Sequence, residues 1–251
     1  STQDFPFVRE GMERLKQAAP GLKRLLTKEP EPGLIGSVNL WCPILNAYDP
    51  QRAAAQQRSR DEVWWYICTG PKAPYPGEFI DRPATDMRAW VWDTWMDKVQ
   101  GLLIWETTYW TSPTAYPDTA QDPWTDPMSW EQGYGAKPGA RNPWGNGDGR
   151  FLYPPTAAER ATGRPILHGP IDSLRWEMLR DGLEDYEYFR MLQDRITAAR
   201  KRSVPASKLA ATEALLQIPP SVLTGLTSYS ADPRPMYAHR LRLAEAIEAL
   251  K

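Results

Sequence analysis

The sequence predicts an α/β fold built on a parallel β-sheet, because short apolar runs alternate with helical stretches. Three runs are rich in β-branched and aromatic residues and are bounded by Pro, Gly or Asp, which is typical of strands: 38–41, 63–68 and 101–106. Residues 49–60 and 86–99 lie between them and have helical composition. Strand–helix–strand alternation indicates a parallel sheet, either open or closed into a barrel.

The segments before residue 38 and after residue 106 are predicted to be mostly helices, with one strand, one extended segment and one long loop. A further strand is predicted at 22–27 and a short extended segment at 150–154. Residues 111–149 are dense in Pro, Gly and Trp without periodicity, which predicts a long ordered loop. Helices are predicted at 8–19, from a start at Asp172 or Ser173, at 208–217 and at 235–250.

Eleven of the twelve tryptophans fall between Trp41 and Trp144. Trp41, Tyr66, Trp105 and Glu106 close predicted strands, and the carboxyl ends of parallel strands carry the ligand site in such folds. Aromatic faces beside polar groups suit the C–H-rich faces of sugar rings. The alternative is that these aromatic residues are simply large core residues.

Composition excludes several classes of function. A net charge of −1 and a pI near 6.2 give no electrostatic footprint for nucleic acid, and no apolar run is long enough for a membrane span. Two histidines and two cysteines without ligand spacing predict no metal site, and Cys42 and Cys68 are expected to be free thiols. The glycine run at 145–149 predicts a tight turn rather than a phosphate loop, so no cofactor is expected.

The long C-terminal helix carries acidic residues that invite a catalytic interpretation. Arg180 and Glu184 have the spacing of a helical ion pair, so we predict that Glu184, Asp185 and Glu187 form a solvated or structural network. Gly182 within this helix costs about 1 kcal/mol relative to Ala, which predicts a close packing contact there.

Several motifs together resemble the carboxy-terminal part of glycoside hydrolase family 123, over residues 8–192. They are VNLWCP at 38–43, VWWYIC at 63–68, GDG at 147–149 with LYP at 152–154, and SLRWEMLRDGLEDYEY at 173–188. The resemblance implies a (β/α)8 barrel, of which this chain would supply helix four to strand eight within residues 1–200. Residues 201–251 would form a helical extension packed on the barrel.

The resemblance also implies the activity: retaining hydrolysis of β-linked N-acetylgalactosamine, in which the substrate's acetamido oxygen acts as nucleophile. The family's catalytic Asp-Glu pair precedes a helix that resembles residues 8–19, so it is expected upstream of Ser1. The N-terminal half of the barrel would then come from the same protein or from a companion chain. Asp61 and Glu62 precede their strand and so face the wrong end of a barrel for catalysis. Glu106 is the better internal candidate for an acid or a substrate contact, although it could equally hold the long loop.

In this interpretation Trp41, Tyr66 and Trp105 line the sugar site, and Tyr66 donates a hydrogen bond to the acetamide. The further candidates for hydroxyl contacts or loop architecture are Asn39, Glu106, Asn142, Trp144 and Asp148. Two alternatives stay open: a non-catalytic carbohydrate-binding or structural module, and a hydrolase of another glycan on the same barrel. The compartment also stays open, and a secreted or periplasmic parent protein is one option.

Overall fold

Four parallel strands in chain order form the main sheet in the computed structural model, which describes residues 2–111, 121–131 and 142–250. The strands are β1 (Leu25–Leu26), β2 (Leu40–Trp41), β3 (Glu62–Ile67) and β4 (Gly101–Ile104), in the order β1-β2-β3-β4. All three neighbouring pairs are parallel. The predicted parallel sheet is therefore confirmed, and each strand lies within one residue of its predicted bounds or is shorter.

The chain divides into two compact units, and the sheet belongs to the first of them. This unit comprises Ser1–Pro71 and Asp97–Ile104, and the second comprises Lys72–Met96 and Trp105–Lys251. The first unit also contains helices α1 (Phe5–Ala18) and α2 (Pro50–Arg58). The predicted boundary at residue 200 falls inside the second unit, and it stays a prediction about the whole protein.

Local sequence explains why α2 begins where it does. The side chain of Asp49 accepts hydrogen bonds from the backbone N–H groups of Gln51 and Arg52, and Pro50 occupies the first helical position. An aspartate cap followed by proline satisfies the unpaired donors of a helix start and presets its backbone.

The two faces of β3 differ in burial. Val63, Trp65 and Ile67 are fully buried, whereas Trp64 and Tyr66, which point to the opposite face, are half-buried. On the buried face Val63 joins a core cluster that also contains Trp41 of β2 and Ala53 of α2. Trp64 and Tyr66 therefore lie on the face of β3 opposite this core cluster.

In its described residues, the second unit is mainly helical and has three short antiparallel strand pairs. Its helices are α3 (Thr85–Met96), α4 (Ala157–Arg160), α5 (Leu174–Lys201), α6 (Ala206–Ala214) and α7 (Arg234–Ala249). Its strand pairs are β5 (Met128–Glu131) with β6 (Asn142–Asn146), β7 (Leu152–Tyr153) with β8 (Ile171–Asp172), and β9 (Leu223–Gly225) with β10 (Ser228–Tyr229). The predicted helices are confirmed, and Ser173 caps α5 through a hydrogen bond from Trp176 N.

A buried ion pair links α3 and α5 inside the core of this unit. The guanidinium of Arg88 donates to both carboxylate oxygens of Asp185, at 2.6 and 3.0 Å, and Trp92 Nε1 donates to Asp185 at 2.7 Å. Glu184 and Glu187 are exposed. The prediction that these acidic residues form a structural or solvated network is confirmed. Gly182 lies against Val91 at the same helix contact, as its position in the helix predicted.

The predicted irregular loop at 111–149 contains a hairpin that the sequence pattern did not indicate. Strands β5 and β6 pair within it, and β6 leads directly into the glycine-rich turn. Gly147 and Gly149 have positive φ angles of 79° and 69°, which confirms the predicted turn. Parts of the predicted loop, 112–120 and 132–141, lie outside the described residues.

Other sequence predictions concern thiols, metals and membranes. Cys42 is buried and Cys68 half-buried, both are free thiols, and burial raises the pKa of Cys42 to about 12. In the described ranges, no three His, Cys, Asp or Glu side chains cluster in a way that could hold a metal ion. None of the helices described combines the length and the apolar character needed to cross a bilayer.

Candidate functional site

Trp41 lies in the core of the first unit. Its side chain is fully buried, and its indole N–H donates to the Asp61 carboxylate at 3.0 Å. Both the ring faces and the polar edge of Trp41 are therefore occupied by protein. Asp61 is engaged by this contact, and Glu62 forms an ion pair with Lys23 at 2.5 Å, so both acidic residues have structural partners at the amino end of β3.

Asn39 comes immediately before β2 and joins the start of this strand to the start of β1. Its side-chain oxygen accepts a hydrogen bond of 2.6 Å from the backbone N–H of Arg24. The Arg24 guanidinium in turn donates to Ser37 O, so the amide of Asn39 belongs to a local brace. The sequence predicted that Asn39 could contact a sugar hydroxyl, but its amide oxygen already accepts this backbone hydrogen bond.

Tyr66 is the candidate of the first unit whose side chain points away from the core cluster. It is half-buried on β3, opposite Leu103 of β4. Its neighbour on the same face, Trp64, covers Gly101, where any Cβ would lie 2.4 Å from the indole. Glycine at 101 thus lets a tryptophan lie flat on the sheet beside Tyr66.

Three aromatic residues meet in the second unit around the position that follows β4. Trp105 is 42% exposed, and its ring lies 5.2 Å from that of Tyr109 and 6.2 Å from that of Trp144. The Trp105–Trp144 contact is edge-to-face, at 72°. The structure therefore brings together two predicted sugar contacts that are 39 residues apart in the sequence.

The indole N–H groups of these two tryptophans differ from those of several other described tryptophans. The indole N–H groups of Trp41, Trp92, Trp95, Trp110 and Trp124 donate to protein acceptors, and those of Trp64 and Trp90 are buried without one. For Trp105 and Trp144, the described residues provide no acceptor for the N–H group. Both residues combine accessible ring surface with an unused donor, which is the combination that a sugar ring requires.

Glu106 follows Trp105 through a cis peptide bond and is half-buried. Within the described part of the chain its carboxylate has neither a hydrogen bond nor an ion pair. The backbone at Glu106 packs closely against the turn, since a Cβ at Gly149 would lie 3.4 Å from Glu106 N. Glu106 is thus a fixed position with a carboxylate that no described protein group uses.

Trp144 is held by a segment that sequence reasoning missed, residues 72–81. Lys72 Nζ donates to the backbone oxygen of Trp144 at 2.6 Å and lies 3.9 Å from the centre of the Phe79 ring. Phe79 packs directly beneath Gly145, where any side chain would collide with it. Ile80 N donates to Asn146 O at 2.9 Å. Asn142 lies at the other end of β6, half-buried and paired with Glu131.

Asp148 is fully buried and so does not present its carboxyl group to a ligand. It lies near the carboxyl group of Glu78, which is equally buried. Burial raises the pKa of Asp148, and the contact with Glu78 and nearby cations opposes the rise. Its backbone oxygen accepts from Ser129 Oγ at 2.7 Å, which ties the turn to β5. Asp148 is therefore part of the turn's architecture, one of the two roles expected for it.

Two buried arginines, Arg150 and Arg175, donate hydrogen bonds to the backbone of this turn and of the segments around it. Composition did not predict that they are buried. Arg175, in the first turn of α5, donates to the backbone oxygens of Glu78, of Gly147 at 2.8 Å and of Arg150 at 2.6 Å. Arg150 donates to Tyr109 O at 2.6 Å, to Asp126 O and to the Gln121 side chain. Burial lowers the pKa of both guanidinium groups. Together they fix the backbone that supports Trp105, Tyr109 and Trp144.

Comparisons with known proteins identify the family of the chain. The chain matches the family model for the catalytic domain of glycoside hydrolase 123 over residues 15–192. No curated protein matches it. A solved family 123 glycoside hydrolase from Clostridium perfringens, described in a study of glycolipid glycan hydrolysis, has a similar fold, with a TM-score of 0.52 and 16% identity. The similarity covers 89% of this chain and 34% of that structure, so the chain spans about a third of its length. The family match extends over more than half of the sequence, and the chain therefore belongs to glycoside hydrolase family 123.

Proposed function

We propose that the chain is part of a retaining β-N-acetylgalactosaminidase that removes β-linked N-acetylhexosamine from glycans with the help of the substrate's own acetamido group. The observation that carries this proposal is the group formed by Trp105, Trp144 and Glu106. It offers two indole rings with unused N–H donors and a carboxylate without a described partner, next to the end of the last parallel strand. Family membership supports glycoside hydrolysis as its use.

Each group has a defined task in the proposed reaction. Trp105 and Trp144 contact the apolar face and the hydroxyl groups of the sugar, and Glu106 accepts a hydrogen bond from a hydroxyl group. Tyr66 belongs to the other compact unit, and its hydrogen bond to the acetamide stays a prediction. Trp41, Asn39 and Asp148 are left out of this set because their side chains are occupied by protein contacts or fully buried.

The chemistry needs two carboxyl groups besides the sugar contacts. The acetamido oxygen attacks the anomeric carbon while a glutamic acid protonates the departing glycosidic oxygen, and a second carboxylate stabilises the cationic oxazolinium ring. Water then attacks the anomeric carbon from the face that the leaving group left and gives a proton to the glutamate, while the bond to the acetamido oxygen breaks. The configuration is therefore retained without a covalent enzyme adduct. We propose that the acidic pair is contributed by polypeptide that precedes Ser1, as strand four of a barrel whose strands five to eight are β1–β4.

Hydrolysis of a chromogenic β-N-acetylgalactosaminide tests the proposal. The chain is assayed alone and together with the sequence that precedes it, and the matching glucosaminide and a galactosamine-derived thiazoline inhibitor are included. Activity only with the preceding sequence, inhibited by the thiazoline, is the expected result. Activity that the thiazoline does not inhibit would contradict assistance by the acetamido group, no hydrolysis of either glycoside would point to a different glycan, and sugar binding without hydrolysis would point to a carbohydrate-binding module.

Substitution of Glu106 tests the local assignment. A charged hydrogen bond to substrate contributes about 1.5–3 kcal/mol, so Glu106→Gln should lower kcat/KM roughly 10- to 100-fold. Glu62→Gln is the matched control, since Glu62 is paired with Lys23 at the other end of a strand. An equal loss in both variants would show that the effect is structural.

A further inference from the structure

A second aromatic surface lies in the same unit, formed by Trp124 and Tyr153. The two rings lie 4.7 Å apart at an angle of 44°, and Trp124 is 41% exposed. The Trp124 indole N–H donates to Pro154 O at 2.9 Å. Because this is the ring's only polar atom, the exposed part of Trp124 is carbon surface on a ring held in one orientation.

The backbone around this surface is unusually well fixed for a connecting segment. Asp122 accepts from the backbone N–H of Trp124 at 3.1 Å through its side chain, and its backbone oxygen accepts from Asp126 at 2.8 Å. Tyr153 belongs to β7 and pairs with Ile171 of β8. A surface that is already ordered loses little conformational entropy when a ligand binds.

Polar groups at the edge of the two rings match the hydroxyl groups of a neutral sugar. The Arg160 guanidinium, which is partly exposed, donates to Pro155 O and lies 3.4 Å from the Asp122 carboxylate. The surface therefore offers a stacking face with both a hydrogen-bond donor and an acceptor beside it, which together recognise a pyranose ring. Neighbouring charges of opposite sign do not favour a charged ligand.

Hydrogen bonds connect this surface to the segment that carries Trp105. Phe151 N and Leu152 N both donate to Thr107 O at 3.0 Å, and Trp110 Nε1 donates to Leu152 O at 2.7 Å. The segment after β4 and the segment that ends in Tyr153 are thus cross-linked within one unit. The two aromatic surfaces therefore lie on hydrogen-bonded segments of the same compact unit.

We propose that Trp124 and Tyr153 form a second sugar-binding surface, which contacts a neutral pyranose of the glycan away from the residue that is cleaved. The choice of glycan rests on the proposed function, but the surface itself does not depend on hydrolysis. Substrates longer than a monosaccharide glycoside would gain affinity from it. An aromatic contact of this kind is worth about 1.4 kcal/mol, or a tenfold change in the dissociation constant.

Direct binding measurements test the inference without requiring hydrolysis. A neutral tetrasaccharide ending in β-linked N-acetylgalactosamine and the corresponding methyl monosaccharide are titrated by calorimetry into the wild type, Trp124→Ala and Trp124→Phe. We expect about tenfold weaker tetrasaccharide binding for Trp124→Ala, less than threefold for Trp124→Phe, and no change with the monosaccharide. Phe7→Ala is the matched control, because Phe7 is 80% exposed on α1 and should leave both affinities unchanged.

Several results would overturn the inference. They are wild-type failure to bind the tetrasaccharide, equal tetrasaccharide affinity in Trp124→Ala and the wild type, and binding to phosphatidylcholine vesicles that depends on Trp124 in the absence of glycan. If Trp124→Ala unfolds, Tyr153→Ala decides the question, because it removes the neighbouring ring, and unchanged tetrasaccharide affinity in that variant would count against the inference. Absence of hydrolysis by the chain together with the sequence that precedes it, with intact tetrasaccharide binding, would refute the proposed enzymatic function and leave this surface supported.

Discussion

Two glycines within helices should respond in opposite directions to the same substitution. Gly182 in α5 lies against α3: an added Cβ would be 2.9 Å from Val91 Cγ2 and 3.2 Å from the backbone Cα of Arg88. Gly11 in α1 has open space, with nothing within 4 Å. Replacing a glycine in a helix interior by alanine favours the helix by about 1 kcal/mol. At Gly11 this gain is unopposed, so Gly11→Ala should raise the free energy of unfolding by about that amount.

At Gly182 the gain is outweighed by the helix contact. Overpacking typically costs about 1–3 kcal/mol, so Gly182→Ala should lower the free energy of unfolding by roughly 1 kcal/mol. The backbone of Arg88 cannot rotate away, and separating the two helices would also loosen the buried Arg88–Asp185 pair. The two variants should therefore differ by about 2 kcal/mol.

Urea unfolding followed by circular dichroism measures both changes by linear extrapolation. Val91→Ala in the Gly182→Ala background removes the nearest clashing methyl group, and the double-mutant cycle should show a favourable coupling of at least about 0.5 kcal/mol. If Gly182→Ala stabilises the protein as much as Gly11→Ala does, the close contact between α3 and α5 is refuted.

Two further predictions concern the turn that supports the candidate site. Arg175→Met leaves the backbone oxygens of Glu78 and Arg150 without this donor, whereas Gly147 O keeps the Arg150 N–H, so the substitution should lower the free energy of unfolding by at least about 2 kcal/mol. Arg180→Met on the exposed face of α5 should change it by less than about 0.5 kcal/mol, and thermal unfolding compares the two variants. Equal shifts would contradict the bracing role of Arg175. Because folding raises the pKa of Asp148, the folded state holds that proton more tightly than the unfolded state does. Stability should therefore fall as pH rises from about 3.9 through the raised value, and Asp148→Asn should lessen this fall in urea midpoints between about pH 4 and 8. Parallel midpoint curves for the two proteins would refute this role of Asp148.

The sequence predicted the elements whose signals are local. Strand β3 alternates buried and half-buried residues over six positions, and α5 begins at Ser173, one of the two caps that the sequence indicated. The hairpin of β5 and β6 gave no such signal, because its segments mix Pro, Gly and Trp without a period of two. Its pairing depends on contacts with residues 72–81, which are distant in sequence.

The arginines that brace the site were beyond prediction for a related reason. Arginine is usually exposed, and only the tertiary structure shows whether buried backbone oxygens lie within hydrogen-bond distance of its guanidinium group. Arg150 and Arg175 each meet three acceptors drawn from separate segments. A motif can mark such a residue as part of a family pattern, but the pattern does not state which oxygens it binds.

Trp41 and Trp105 differ in the contacts that separate a core tryptophan from a proposed ligand contact at a strand end. Both come at or directly after the end of a parallel strand, and the sequence treats them alike. The Trp41 indole gives its N–H to Asp61 and is fully buried, so a sugar could reach it only by breaking a protein contact. Trp105 is 42% exposed, and its indole N–H has no acceptor among the described residues. A sugar could therefore bind this N–H without breaking a hydrogen bond of the protein. The free energy of binding therefore favours Trp105, and the polar edge of each ring, more than its position in the sequence, separates the two roles.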